Sequence, residues 1–185
     1  MNIAHARARG RFRSRIAAGA DMLRSPPMSA SLPPSADTEL GYAPPTVRQF
    51  SVFLNNKVGK LLELLRTLDE SSQTRLAAFA IMDSSDFAVV RMIFTNADAA
   101  RHILRRSQYT FAETDLIVVE LNEEQCLSST CLYLLGAELN IRFAYPIMLR
   151  GERPAVAISV DDNHLAGQIL LRKRFRLLAE EDMAP

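Results

Sequence analysis

The sequence has 185 residues, of which 48% are hydrophobic and 23% charged, and its formal net charge is +1. A chain of this length forms one medium domain or two small ones, which excludes a large multidomain enzyme. The composition supports a buried core, and the near-zero charge excludes a strongly basic nucleic-acid binder. The apolar runs are far shorter than the roughly 20 residues of a membrane-spanning helix, so we expect no nucleic-acid and no membrane partner.

Residues 1–46 differ from the rest of the chain. Residues 1–24 contain six arginines and one acid, a net +5, which leaves 16 of the 22 basic and 20 of the 21 acidic residues, a net −4, in 25–185. Proline pairs follow without an apolar period, which predicts a disordered Arg- and Pro-rich extension. An extension without function is the favoured interpretation. A transit peptide, a weak anion-binding tail, or a true start at Met28 are the alternatives.

From Val47 the pattern changes to strands and helices in the order βαββαβ. The first unit is predicted to contain strands at 47–54, 75–82, 87–94 and 109–113, a helix beginning just after Gly59, and a helix at 97–106. The same order follows in a second unit, with strands at 116–121, 139–149, 154–160 and 174–179 and helices at 128–137 and 164–173.

The two units also correspond residue by residue. Positions 67 apart match over their second halves, most specifically Ala112-Glu113-Thr114-Asp115 with Ala179-Glu180-Glu181-Asp182. We infer an internal duplication, with a first unit at 47–114 and a second at 115–182. The predicted fold class is α+β, two tandem ferredoxin-like βαββαβ units with antiparallel sheets. Because two helices cover only one face of each sheet, we expect the other face or edge to be buried against the second unit or against another copy of the chain. We also expect a homodimer formed through sheet edges.

The most suggestive local feature is the polar turn between the first strand and the first helix. It consists of Asn55, Asn56, Lys57, Val58, Gly59, Lys60 and Leu61. Amide N–H groups at a helix start bind a carboxylate or phosphate, and glycine permits close backbone approach. Asparagine supplies donors and acceptors for an ammonium and a carboxylate together. A free amino acid fits this combination; an ordinary strand-to-helix turn with an asparagine cap is the alternative.

Motifs of covalent chemistry are missing from the sequence, so we assign no catalytic residue and expect no cofactor. The histidines have no thiol or carboxylate at ligand spacing, and we predict no metal site. Cys126 and Cys131 lie five residues apart in a predicted helix, where their side chains diverge, so we expect no disulfide. A reducing compartment and the lack of a secretory signal predict a cytoplasmic protein.

Four further features each have an ordinary interpretation and a functional alternative. Asp83 and Asp86 fit a hairpin turn better than an acid–base pair. The run 161–163 fits a helix cap better than a divalent-ion site. Cys126 fits a buried thiol better than a redox sensor. Arg91 fits outward alternation along a strand, with contact to a ligand or partner as the alternative.

The segment 49–62, QFSVFLNNKVGKLL, followed by 83–94, DSSDFAVVRMIF, resembles the ACT domain, a βαββαβ ligand-sensing module of amino-acid biosynthetic enzymes. The similarity covers about residues 47–182 as two tandem units. It is closest to stand-alone tandem-ACT proteins, which are often named as acetolactate synthase or its small regulatory subunit. Asn140-Ile141 and Tyr145 match a pattern common in second units.

The resemblance implies regulation rather than turnover. It implies that residues 55–61 bind a free amino acid, with branched-chain amino acids as candidates, and that the amides of Val58 to Lys60 receive its carboxylate. The second unit departs from the family pattern, because Glu124-Gln125-Cys126-Leu127 replaces Pro-Gly-Gly-Leu. The first departs at Thr74-Arg75-Leu76, where Asn-Ile is usual. We therefore expect one site per chain or none.

The expected role is that of a non-catalytic regulatory protein, with a biosynthetic enzyme's catalytic subunit as partner. Acetolactate synthase is the candidate enzyme. Its thiamine-diphosphate chemistry needs a large cofactor domain that 185 residues with this pattern do not supply, so the name fits only as a regulatory subunit. The alternative from another class is an oligomerisation module that binds no ligand.

Overall fold

Residues 43–83, 87–148 and 153–183 are described here from a computed structural model. Within these ranges no helix is long and apolar enough to cross a membrane. In chain order the elements are β1 (Val47–Asn55), α1 (Lys60–Asp69), β2 (Leu76–Asp83), β3 (Phe87–Phe94), α2 (Ala97–Arg106), β4 (Phe111–Glu120), α3 (Leu127–Leu135), β5 (Ile141–Ile147), β6 (Ala155–Val160), α4 (Asn163–Arg172), β7 (Leu177–Leu178) and a 3-10 helix at Glu180–Met183.

The strands form two antiparallel halves that share β4. Their order is β2-β3-β1-β4-β6-β5, and β7 also pairs with β4. The first half of β4 pairs with β1 in the register Val47↔Leu116, and its second half pairs with β6 in the register Ile117↔Ile158. Each half thus has the ferredoxin-like arrangement that the sequence predicts, which confirms the fold class.

The continuity of β4 differs from the prediction of separate strands at 109–113 and 116–121. The residues between them are polar and acidic, which favours a turn in sequence terms. In the structure Arg48 of β1 lies opposite and contacts Asp115 and Glu113 at 2.6 and 2.9 Å. These ion pairs accommodate the acids within a strand, and the predicted unit boundary at 114/115 falls inside it.

Local signals explain where the helices begin. Gly59 is in the left-handed region with φ of 91° and precedes α1, as predicted. The side chains of Asn96 and Asp162 accept hydrogen bonds from the backbone amides of Ala99 and Leu165, and so cap α2 and α4. The cap at 162 confirms the ordinary interpretation of the acidic run at 161–163.

Three cores hold the elements together. One lies between the first half-sheet and α1 and α2, around Phe50 and Leu104. A second lies between the other half-sheet and α3 and α4, around Leu170. The third is formed by the helix-free faces of the two half-sheets and contains residues of both, including Leu116 and Tyr145. The helix-free faces therefore bury each other, which is the first of the two alternatives expected from the sequence.

Part of a sheet edge is also used within the chain. The backbone amide of Met148, just after β5, donates to the carbonyl of Ala77 in β2 at 2.7 Å. These are the two strands at the ends of the sheet order. The expected homodimer through sheet edges therefore has less free edge than the sequence suggests.

The end of the second unit departs from its counterpart in the first. The predicted strand at 174–179 is reduced to β7, and the acidic run that follows forms a 3-10 helix. Asp182 accepts a hydrogen bond from the amide of Ala179, and Glu180 accepts one from the amide of Arg48. These contacts turn the chain away from β4. The matching run at 112–115 continues as strand, with its acids paired to the Arg48 side chain.

Pro44 lies near the amino-terminal end of the described residues and packs against α4. It is buried, and a Cβ placed on Gly167 of α4 would lie 2.3 Å from the Pro44 Cβ atom. The chain is therefore packed against the second unit before β1 begins. Residues 1–42 of the predicted extension 1–46 lie outside the described residues, as do Asp86 and most of the predicted turn at 151–153.

Candidate functional site

The predicted binding loop lies between β1 and α1. Asn55 ends β1, and its carbonyl accepts a hydrogen bond from the amide of Lys57 at 2.8 Å, which makes the turn tight. Gly59 then takes the left-handed conformation, and a Cβ there would meet nothing within 4 Å. The backbone at Gly59 is therefore open to an approaching ligand.

The start of α1 has backbone amides available for an anion. Gly59 supplies no side-chain cap, whereas α2 and α4 are capped by asparagine and aspartate. Within the described part of the chain, the amides of Val58 and Gly59 donate to no protein acceptor. The amide of Lys60 donates to the carbonyl of Lys57 at 3.2 Å. Two of the three amides predicted to receive a carboxylate are thus available, and the third is used within the loop.

A cavity of about 270 Å³ lies beside this loop. Pockets for drug-sized ligands start at about 300 Å³, so this volume suits a smaller molecule such as one amino acid. Five of the seven predicted residues line it; Val58 and Gly59 do not, and the Val58 side chain points into solvent. The polar lining comes from Asn55, Asn56, Lys57 and Lys60 and the apolar lining from Leu54, Leu61, Ile81, Ala88 and Val90.

The rim of this cavity is positively charged. Lys60 contacts Glu63 through an ion pair of 2.6 Å, which raises the pKa of Lys60. Lys57 makes no ion pair with any described residue. One ammonium group is therefore already neutralised, and the other is available to a carboxylate.

In the corresponding loop of the second unit, two backbone amides already donate hydrogen bonds within the loop. The side-chain oxygen of Asn122 accepts hydrogen bonds from the amides of Glu124 and Gln125 at 2.9 and 2.7 Å. The Gln125 side chain in turn donates to the carbonyl of Arg174 at 2.7 Å. With Glu123 and Glu124 exposed beside it, this loop disfavours an anion.

A larger cavity of about 790 Å³ nevertheless lies at this second loop. Arg153 lines it from outside the loop, and its guanidinium is paired with Glu120 at 3.1 Å. Sequence reasoning missed this cavity because Arg153 follows β5 and no local motif connects it to the loop. The lining residues are Leu121, Asn122, Glu123, Glu124, Cys126, Leu127, Arg153 and Pro154.

Cys126 lies at the N-terminal end of α3 rather than inside the helix. It is the N-cap residue, and its sulfur lies 3.0 Å from the hydroxyl of Ser128. Hydrogen bonds from Ser128 and Ser129 lower the pKa of the Cys126 thiol to about 7. Cys126 and Cys131 are both free. Cys126 is half-buried, so the interpretation as an ordinary buried thiol fits it only in part.

Polar contacts also cross between the two units. The guanidinium carbon of Arg91 lies 3.7 Å from the centre of the Phe143 ring, and burial lowers the pKa of Arg91. The Tyr145 hydroxyl donates to the side-chain oxygen of Gln49 at 2.8 Å. Arg91 therefore faces the second unit rather than bulk solvent. Sequence reasoning did not single out Gln49, whose partner is 96 positions away.

Two βαββαβ units that share a strand and bury their helix-free faces against each other define a tandem α+β module. The model of the family described as "ACT domain pair" matches residues 45–185. The chain belongs to this family.

One solved structure with a TM-score above 0.5 shares this fold. Protein BT0572 from Bacteroides thetaiotaomicron is 25% identical, with a TM-score of 0.67 over 75% of this chain and 95% of that chain. The ligand-free regulatory subunit of aspartate kinase from Thermus thermophilus is 9% identical, with a TM-score of 0.48 over 71% of this chain and 98% of that chain. No curated protein matches.

Proposed function

We propose that this ACT domain pair is a regulatory protein that binds one free amino acid at residues 55–61 of its first unit and does not catalyse a reaction alone. The observation that carries the proposal is the uncapped start of α1 beside a cavity of amino-acid size. The available amides of Val58 and Gly59 and the ammonium of Lys57 bind the carboxylate. The amide oxygen of Asn55 accepts from the ammonium.

The lining of the cavity supports an apolar amino acid. Leu54, Ile81 and Val90 provide aliphatic surface, and none of the lining residues that the structure describes is acidic or aromatic. Burial of an aliphatic side chain there gains about 25 cal/mol for each Å² removed from water. Valine, leucine and isoleucine are therefore the preferred ligands.

The partner that follows from this function is the catalytic subunit of a biosynthetic enzyme, with acetolactate synthase as the candidate because its products are branched-chain precursors. We place the protein in the cytoplasm, in agreement with two free cysteines, and propose that it acts as a homodimer.

The second candidate function is an oligomerisation module without a ligand. It is favoured by apolar side chains that the second unit leaves uncovered. Phe53, Met82 and Phe87 are 42%, 49% and 48% exposed and share the sheet face of Arg91. Such a surface suits a protein partner as well as a ligand.

Thermal unfolding of the full chain with each of the twenty amino acids tests both candidates. A ligand at 100 times its dissociation constant adds about 2.7 kcal/mol to the free energy of unfolding. We expect a shift with the branched-chain amino acids and none with acidic ones. No shift with any amino acid would reject the sensor and favour the oligomerisation module.

Two variants locate the site. Lys57→Ala removes an exposed charge, so we expect unchanged stability and a dissociation constant raised about tenfold or more, the effect of losing one charge-assisted hydrogen bond. Arg66→Ala is the matched control, since it removes an exposed charge from α1 away from the cavity. Equal affinities of the two variants would place the ligand elsewhere.

A further inference from the structure

The cavity beside the loop 55–61 carries positive charge that a free amino acid does not fully use. Lys57 and Lys60 both line it, and no acidic residue is among the lining residues that the structure describes. Lys60 is paired with Glu63, which does not line the cavity. The ammonium of Lys57 makes no ion pair with a described residue. The described lining therefore suits the carboxylate end of a ligand better than an ammonium end.

The charge of the ligand decides how well it uses Lys57. A free amino acid is a zwitterion, whose ammonium is attached to the carbon next to its carboxylate. The ammonium of Lys57 attracts that carboxylate and repels the nearby ammonium of the ligand. The 2-oxo acid with the same side chain has a carbonyl oxygen in place of the ammonium. It keeps the attraction and loses the repulsion.

Asn55 does not discriminate between these two ligands. Asn55 ends β1 and lines the cavity. Its side-chain amide has an oxygen that accepts from an ammonium and a nitrogen that donates to a carbonyl oxygen, and a half-turn of the amide exchanges the two. An ionised acid at this place would only accept, and would therefore select the ammonium.

The second unit shows that an acidic residue is compatible with this loop. An offset of 67 aligns Val52 of β1 with Val119 of β4, both of which pack under the helices of their own unit. The same offset places Glu124 where the first unit has Lys57, and each lines the cavity of its own unit. The first unit thus carries a cation where the same fold accommodates an acid.

We propose that the loop 55–61 also binds the aliphatic 2-oxo acids that correspond to valine, leucine and isoleucine, at least as tightly as the amino acids themselves. This inference rests on the proposed function, since it uses the same loop and cavity. The aliphatic surface of Leu54, Ile81 and Val90 contacts the same side chain in both ligands. The site then responds to the carbon skeleton of the ligand rather than to its amino group.

Isothermal titration calorimetry of the full chain with three probes tests the proposal. The probes are leucine, the 2-oxo acid of leucine, and leucinamide, which keeps the ammonium and the side chain but has no carboxylate. We expect the 2-oxo acid to bind with a dissociation constant equal to or below that of leucine, and leucinamide to show no binding at the same concentrations. A lower dissociation constant for leucine than for the 2-oxo acid would overturn the proposal, and so would binding of leucinamide.

Lys57→Gln removes the charge that favours the 2-oxo acid. It should raise the dissociation constant of the 2-oxo acid by a larger factor than that of leucine, because with leucine the lost attraction is partly offset by the lost repulsion. Arg66→Gln is the matched control, since it makes the same change of charge at an exposed position of α1 that does not line the cavity. It should leave both dissociation constants unchanged. Equal factors for the two ligands in Lys57→Gln would also overturn the proposal.

The same titrations separate this proposal from the proposed function. Tighter binding of leucine than of its 2-oxo acid would reject the present proposal and leave the amino-acid site in place. Binding of the 2-oxo acid without binding of leucine would support the present proposal and reject a free amino acid as the ligand. Binding of neither would reject both.

Discussion

One buried hydrogen bond connects the two units and provides a sharp test of how they are held together. The Tyr145 hydroxyl donates to Gln49, and the two residues are 6% and 1% exposed. Burial raises the pKa of Tyr145, so the hydroxyl is protonated at neutral pH and acts as a donor.

Tyr145→Phe keeps the ring but leaves the oxygen of Gln49 without its partner in the core. The cost of an unsatisfied buried group is about 1–3 kcal/mol, a shift in Tm of a few degrees for a domain of this size. Gln49→Leu should cost a similar amount, because it leaves the hydroxyl unpaired. The double variant should lose less than the sum, by about 1–2 kcal/mol, since both polar groups are removed together.

Urea unfolding of the four proteins, followed by circular dichroism, measures this coupling. The denaturant dependence should be unchanged, so that midpoints report stability. Tyr133→Phe is the matched control, because no described residue bonds to its hydroxyl, and it should change stability by less than about 0.5 kcal/mol. If the single losses add up in the double variant, the hydrogen bond does not couple the units.

Two further predictions concern packing and pH. Alanine at a helical glycine normally stabilises by about 1 kcal/mol, but Gly167→Ala should lower Tm because its Cβ would lie 2.3 Å from the Pro44 Cβ atom. Adding Pro44→Gly to this variant should reverse the loss. An unchanged Tm in Gly167→Ala alone would contradict the contact. Hydrogen bonds from Arg101 lower the pKa of Glu113 from 4.5 to about 2, so the unfolded state binds the proton first and stability falls as pH drops from about 4.5 towards 2. Glu113→Gln should flatten urea midpoints across that range; a slope equal to wild type would show that other acids cause it.

Elements with complete local signals were predictable. The bounds of β3 and α2 agree with the prediction to the residue, because the strand is continuously apolar and Asn96 caps the helix. The continuity of β4 was not predictable, since it depends on Arg48, which is 65 and 67 positions from its two acidic partners. A local sequence pattern does not show which distant residue the fold will bring into contact with an acidic side chain.

The candidate site divides in the same way. The loop 55–61 is contiguous, so its glycine, amides and asparagines could be recognised together, and five of its residues do line one cavity. The apolar floor from Ile81 and Val90 and the cavity beside Arg153 required the strands to be assembled first. Whether the loop binds an amino acid stays a prediction.

The shared strand β4 makes the duplicated halves dependent on each other. A cut between Thr114 and Asp115 would divide one strand between two fragments and uncover the inner face of each. We therefore expect the chain to unfold in one cooperative step, with no intermediate in which one half persists. For the same reason, we expect that neither half is a portable module, because recombination that moved one half to another protein would carry only part of β4.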